Sequence, residues 1–155
     1  MADSPEIARI KRFIESGIPF NAHLGIKVYE LTVGRAVLWL PWQDHFIGDP
    51  FRPALHGGVT STMMDVSGGA ACFSQVNFLD GDRLSTVDLR VDYLLPGPPR
   101  DLYCEATVQR MGNRVATVLM SLFAASEDGQ VNLVDDPIAI GRGVYNVRRK
   151  NGSGT

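Results

Sequence analysis

A chain of 155 residues with 45% apolar and 21% charged residues holds enough apolar side chains for the core of one domain, which excludes a disordered or fibrous chain. The formal net charge of −2 offers no basic field for nucleic acid, and no apolar run approaches the roughly 20 residues of a membrane span. Met1-Ala2-Asp3-Ser4-Pro5 lacks a signal-peptide pattern, and Cys72 and Cys104 stand far apart in apolar segments without C-x-x-C spacing. The expectation is a cytoplasmic protein with buried free thiols, no metal site, and neither nucleic acid nor membrane as partner.

Ser4 is a good N-cap, Pro5 suits the first helical position, and Ile7, Ile10, Phe13 and Ile14 form one stripe, so a short amphipathic helix is predicted, stopped by Gly17 and Pro19. Strands are expected over 25–32 and 35–42, joined at Val33-Gly34. A long loop with Gly48, Pro50 and Pro53 then runs from Gln43 to Leu55. A helix is predicted over 58–75. Val87, Leu89, Val91, Tyr93 and Leu95 alternate with Asp88, Arg90 and Asp92, the period of a strand. Pro96-Gly97-Pro98-Pro99 ends it. Leu102 to Val108 alternates again, and 115–125 is apolar on both faces, as in a doubly covered strand. Segments 131–134 and 137–145 give a last, bent strand. Residues 1–147 read as one domain and 148–155 as a flexible tail.

The segment that carries chemistry is Leu55-His56-Gly57-Gly58, followed by a small-residue helix with a single carboxylate, Asp65. The first N–H groups of a helix have no internal partner and point at an acceptor, and glycine lets that backbone approach a ligand closely. Advancing about 100° per residue from Gly58, the residues Val59, Met63, Val66, Ala70 and Phe73 cluster and are predicted to face the core, while Gly58, Thr62, Asp65, Gly69 and Cys72 form a small-residue face around the carboxylate. N–H donors plus a carboxylate suffice to polarise and attack a carbonyl. A capping glycine pair and a solvated aspartate are the structural alternative. G-x-S-x-G, H-E-x-x-H, Walker and G-x-G-x-x-G motifs are absent. One helix cannot cover the sheet on both faces, and the small-residue helix face points to a partner subunit.

Across 18–145 the sequence resembles the hot-dog-fold acyl-CoA thioesterases, in particular the phenylacetate-pathway (PaaI-type) branch of the 4-hydroxybenzoyl-CoA thioesterase superfamily. The resemblance rests on Ile18-Pro19-Phe20 with Leu24-Gly25-Ile26, Leu55-His56-Gly57-Gly58-Val59, Met63-Met64-Asp65, Thr86-Val87-Asp88-Leu89 and Tyr93-Leu94-Leu95-Pro96. It implies an α+β hot-dog fold, an antiparallel sheet wrapped around one long central helix with a short N-terminal helix. It implies a homo-oligomer, a dimer or a dimer of dimers forming a homotetramer, with sites at the subunit interface. Acyl-CoA would be the substrate, with no cofactor. Asp65 would be base or nucleophile. Gly57, with Gly58, would donate N–H groups to the thioester oxygen, and the glycine would come from the other subunit. His56 would orient the loop or the thioester, or bond the loop backbone structurally. Thr86 would stand near the attacking water. Asn113 and Arg114, with Arg110, Arg142, Arg148 and Arg149, would meet the CoA phosphates. Phe46, Phe51 and Met64 would border the acyl pocket. Relatives often carry an asparagine before His-Gly-Gly. Here Asp49-Pro50-Phe51-Arg52 stands there, so Asp49 or Arg52 substitutes or the helper is missing. A hot-dog enoyl-CoA hydratase or dehydratase, and a non-catalytic acyl-CoA-binding protein, are the alternative readings.

Overall fold

The computed structural model describes residues 4–134 and 136–150. Residues 1–3, and 151–155 of the expected tail, lie outside the described residues.

Ser4 caps α1 (Pro5–Arg12): its Oγ accepts the Ile7 N–H at 3.2 Å, and Pro5 occupies the first turn. The helix ends at Gly17 as predicted, its last turn a π-turn over Phe13–Gly17 with Ile18 extended after it, and Pro19, expected only as a stop, opens a second helix, α2 (Pro19–Leu24). Proline's missing N–H costs nothing at a first helical position, so here it starts a helix rather than stopping one. Gly25, at φ 79°, closes α2.

β1 (Lys27–Thr32) and β2 (Arg35–Leu40) form the expected hairpin. The predicted loop 43–55 contains a 3₁₀ turn at Asp44–Phe46 and a small ladder of β3 (Ile47–Asp49) with β4 (Ala54–Leu55). The long helix α3 (Gly57–Phe73) follows, then β5 (Arg83–Tyr93), β6 (Leu102–Met111), β7 (Val115–Ala124) and β8 (Ala139–Arg148). Six strands make one antiparallel sheet in the order β1-β2-β6-β7-β8-β5, and α3 lies against one face of it. This is the hot-dog arrangement expected from the sequence. Among the described residues no helix is long and apolar enough to cross a membrane.

Three expectations are corrected. No strand covers 131–134; Val131 and Leu133 pack instead with Val37, Tyr103 and Ala125 as a separate cluster. β7 is not doubly covered: Ala116, Val118, Met120 and Leu122 are buried, but Leu119 is 48% exposed. α3 buries Thr60, Met63, Met64, Ser67, Gly68, Ala70, Ala71 and Cys72, a face turned roughly 90° from the predicted stripe. Cys72 therefore belongs to the core and not to the face around Asp65. The glycines at 57, 58, 68 and 69 make α3 a poor helix by propensity, at about 1 kcal/mol per interior glycine. Its stability comes from the sheet that enfolds it.

The sequence placed a flexible tail from Arg148 onward. β8 runs through Arg148, and the buried Asp82 carboxylate holds the next two residues, accepting the Lys150 N–H and the Arg149 guanidinium at 3.0 Å each. It also accepts the Asn77 N–H at 3.0 Å. These donors, the Lys150 N–H foremost, hold the Asp82 carboxyl below the usual carboxylate range. A depressed folded value means stability that is present above the unfolded pKa of about 3.9 and lost as pH falls through the folded value. Asp82→Asn is therefore expected to melt a few degrees below the parent at neutral pH, with the gap narrowing in acid. Equal melting temperatures at neutral pH would show that this anchor contributes nothing.

Candidate active site

His56, Gly57 and Gly58 open the central helix. His56 is the N-cap, and its Nδ1 accepts the Gly58 N–H at 2.8 Å. The His56 N–H donates to the Phe46 carbonyl at 2.8 Å, and the Leu55 N–H donates to the Gly97 carbonyl at 2.9 Å, so two loops fix the chain just before the helix. The Gly58 N–H is thus committed to the imidazole. The Gly57 N–H makes no hydrogen bond among the described residues, and the Gly57 carbonyl accepts the Tyr93 hydroxyl at 3.0 Å. Of the two glycines suggested by the sequence, Gly57 keeps the donor that a carbonyl oxygen could use.

Asp65 lies two turns further along α3 and is half-buried. Thr86 on β5 donates its hydroxyl to Asp65 Oδ1 at 2.7 Å, and Oδ2 accepts nothing among the described residues. Thr86 faces the helix because of a β-bulge. The β5–β8 register shifts between Thr86 and Asp88, so Leu84 and Thr86 point inward before it and Leu89 and Val91 after it.

Tyr145 on β8, directly opposite Thr86, went unremarked in the sequence. Its hydroxyl donates to the Asp65 backbone carbonyl at 2.9 Å. The phenol reaches that carbonyl by crossing Gly68, where any Cβ would collide with it. Burial, and then the Asp65 charge, push its pKa far up, so it remains a donor. Its only sequence signal is an aromatic residue at an inward strand position.

A cavity of about 450 Å³ adjoins Asp65 and Thr86 and is lined mainly by apolar groups, among them Phe13, Ile18, Phe73 and Leu84. The residues proposed for an acyl pocket do not form it. Phe46 and Met64 are core residues, 1% and 0% exposed, whereas Phe51 is 93% exposed. Nor does Asp49 reach it: its carboxylate accepts the Phe51 and Arg52 N–H groups at 2.9 and 3.2 Å within its own turn. Those bonds, Arg52 first, hold the Asp49 carboxyl below the usual range.

The cationic candidates are dispersed. Asn113 and Arg114 form the exposed β6–β7 turn, two strand spacings or about 10 Å across β8 from the Thr86 end of β5, and do not line the cavity. Arg142 is exposed and borders a separate groove with Arg90 and Asp92, and Arg149 is paired with Asp82. Arg110 pairs with Thr117 in the sheet and is exposed, as is Arg148. Both cysteines are free, and burial raises their thiols to about 12, which removes them as nucleophiles. No cluster of three or more metal-binding side chains occurs among the described residues.

Residues 53–129, from just before the helix to just after β7, match the family model described as the thioesterase superfamily. The medium/long-chain acyl-CoA thioesterase YigI of Escherichia coli (strain K12) is 31% identical over 116 residues, covering 68% of this chain and 75% of that protein. A Shewanella oneidensis structure related to the thioesterase superfamily superposes with a TM-score of 0.75 at 29% identity, over 94% of this chain and 100% of that one. A thioesterase family protein from Silicibacter pomeroyi, 24% identical, shares the fold with a TM-score of 0.78 over 91% of this chain and 97% of its own. The chain belongs to the thioesterase superfamily and is a thioester hydrolase of the hot-dog fold.

Proposed function

We propose that the substrate is an acyl-CoA and that the enzyme belongs to the PaaI-type branch, working without a cofactor as a cytoplasmic homodimer paired into a tetramer. The observation that carries this reading is the Asp65–Thr86 pair at the edge of an apolar cavity, with an unused Gly57 N–H at the start of the same helix. Thr86 holds one carboxylate oxygen and leaves the other for a water or for the thioester carbon itself. With Asp65 as base, water gives it a proton and adds to the carbonyl. The resulting oxyanion is held by Gly57, the C–S bond breaks, and the thiolate leaves to take up the proton. With Asp65 as nucleophile, its carboxylate attacks the thioester carbon, the C–S bond breaks and the CoA thiolate leaves, giving a mixed anhydride that water then cleaves to the free acid and the Asp65 carboxylate. His56 keeps the helix start in place through its bond to Gly58. Asn113 and Arg114 remain the proposed contacts for the CoA phosphates.

The spacing of the two groups supports a shared site. Eight residues separate Gly57 from Asp65, about 12 Å along the helix, whereas an oxyanion donor and a base must both lie about 3 Å from the reacting group. Gly57 of one subunit serving Asp65 of another resolves this. β5, eleven residues long and bonded among the described residues only to β8, offers an open edge on which a second copy can continue the sheet. Free, buried cysteines agree with a reducing compartment.

The test is release of free thiol from a panel of phenylacetyl-, hexanoyl-, decanoyl- and palmitoyl-CoA, with sedimentation on the same preparation. Turnover by a dimer or tetramer is expected. Water addition to an enoyl-CoA without thiol release, binding without turnover, or a stable monomer at micromolar concentration would overturn this reading.

A further inference from the structure

Resting on the acyl-CoA reading, we propose that the ring of Phe13 is the stop that sets how long an acyl chain the site accepts. The cavity beside Asp65 follows α3 towards its C-terminal end, and Asp65 and Phe73 both line it. Eight residues of helix separate them, about 12 Å, a length that an extended medium-chain acyl group covers. Phe13 meets the cavity at that far end. Its ring lies 5.7 Å from Phe73, edge to face, and 4.3 Å from Phe78, and Phe73 and Phe78 are themselves 5.1 Å apart. A three-ring cluster of this kind is a firm wall.

Space continues beyond the wall. An open surface depression of about 450 Å³ is lined there by Arg9, Arg12, Ser16, Gly17, Phe78 and Leu79, and among the described residues Phe13 alone lines both it and the cavity beside Asp65. Phe13 is therefore a partition and not the bottom of a closed core. Its position is built into the backbone: it opens the π-turn, in which the Ile18 N–H donates to the Phe13 carbonyl at 3.1 Å. Gly17 lets the ring settle there, since a Cβ at that position would stand 2.7 Å from Phe13 Cδ2. Such single π-turns inside helices recur at functional sites.

Shortening the side chain should open the cavity into that depression and relax the limit. An apolar pocket discriminates by roughly 10-fold or more per methylene that fails to fit. The expected result is that Phe13→Ala raises the ratio of kcat/KM for palmitoyl-CoA over decanoyl-CoA by about 10-fold or more, with Phe13→Leu in between. A purely structural Phe13 would lower the melting temperature and scale down all chain lengths together, leaving that ratio unchanged. Folded variants with the parental ratio overturn the proposal, and if Phe13→Ala does not fold, Phe13→Leu decides it. The parent is measured first: no turnover of any acyl-CoA removes the acyl-CoA reading and this proposal with it, whereas parental turnover with an unmoved ratio removes this proposal alone.

Discussion

Asp65→Asn is expected to lower kcat by roughly 100-fold or more while the protein folds and assembles as the parent does, in line with removal of a general base. The structure makes this substitution a clean one. The Thr86 hydroxyl donates to Asp65 Oδ1, and an asparagine presents the same oxygen to the same donor. The Tyr145 hydroxyl donates to the backbone carbonyl at position 65, a bond that the substitution leaves in place. What asparagine loses is the negative charge and the ability to take a proton at neutral pH. It also loses the nucleophile, so the prediction holds for both routes through Asp65. No neighbour can take over, because Asp65 is the only carboxylate between Asp49 and Asp80, and Asp49 is engaged in its own turn. An aspartate kept for structure predicts the reverse: a lower melting temperature and full activity per folded molecule. Measuring kcat and melting on one preparation separates the two. Near-parental kcat would end the proposed mechanism and leave the fold untouched.

Much of this site was legible in the sequence because its signals are local. His-Gly-Gly before an apolar, small-residue run announces a helix start with free N–H groups, and the helix begins at Gly57, one residue from where periodicity put it. The alternation of β5 and β6 and the apolar run of β7 marked the sheet. The errors share a cause, which is that burial is decided by tertiary neighbours. The wheel of α3 sorted residues by size and polarity, yet Thr60 and Ser67 turn to the sheet, and Val59, Val66 and Phe73 lie only at the margin of the core. Phe46 and Met64 had the chemistry of pocket residues but spend it on packing. Strict alternation would assign Thr86 to the outer face with Asp88, Arg90 and Asp92. The bulge that turns it inward has no glycine or proline to mark it, so only the resemblance of Thr86-Val87-Asp88-Leu89 pointed to its role. Tyr145 joins the site through an 80-residue separation in the chain, which no local pattern carries. The N-terminal segment shows a further limit. Gly17 and Pro19 read as breakers and the first helix does stop there, but no local signal showed that its last turn is a π-turn or that Pro19 starts a second helix, both of which wall the cavity.

Gly57→Pro is expected to lower kcat by about 100- to 1,000-fold with little loss of stability, the cost of one oxyanion donor. The structure explains why proline, usually disruptive in a helix, is mild here. Gly57 is the first helical residue, where proline is favoured and its missing N–H breaks no helix bond. His56, at φ −66° and ψ 130°, already has the extended conformation that a following proline requires. Gly57 does not occupy the left-handed region, and the nearest atoms a Cβ there meets belong to the Tyr93 side chain, at 3.3 Å and beyond. The N–H removed is the one with no partner among the described residues, so its loss is felt by a substrate and by nothing within the fold. Gly57→Ala is the matching control, since it adds the same contact with Tyr93 and keeps the donor. If Gly57 and Asp65 act across a subunit interface, the two inactive variants must complement each other. Refolded together in equal amounts, Asp65→Asn and Gly57→Pro chains form mixed dimers in half the population, each with one site carrying both defects and one carrying neither. About a quarter of the parental activity should then return. A mixture that stays as inactive as its components would place both groups in one chain and refute the shared site, while parental turnover by Gly57→Pro alone would remove the helix start from the mechanism.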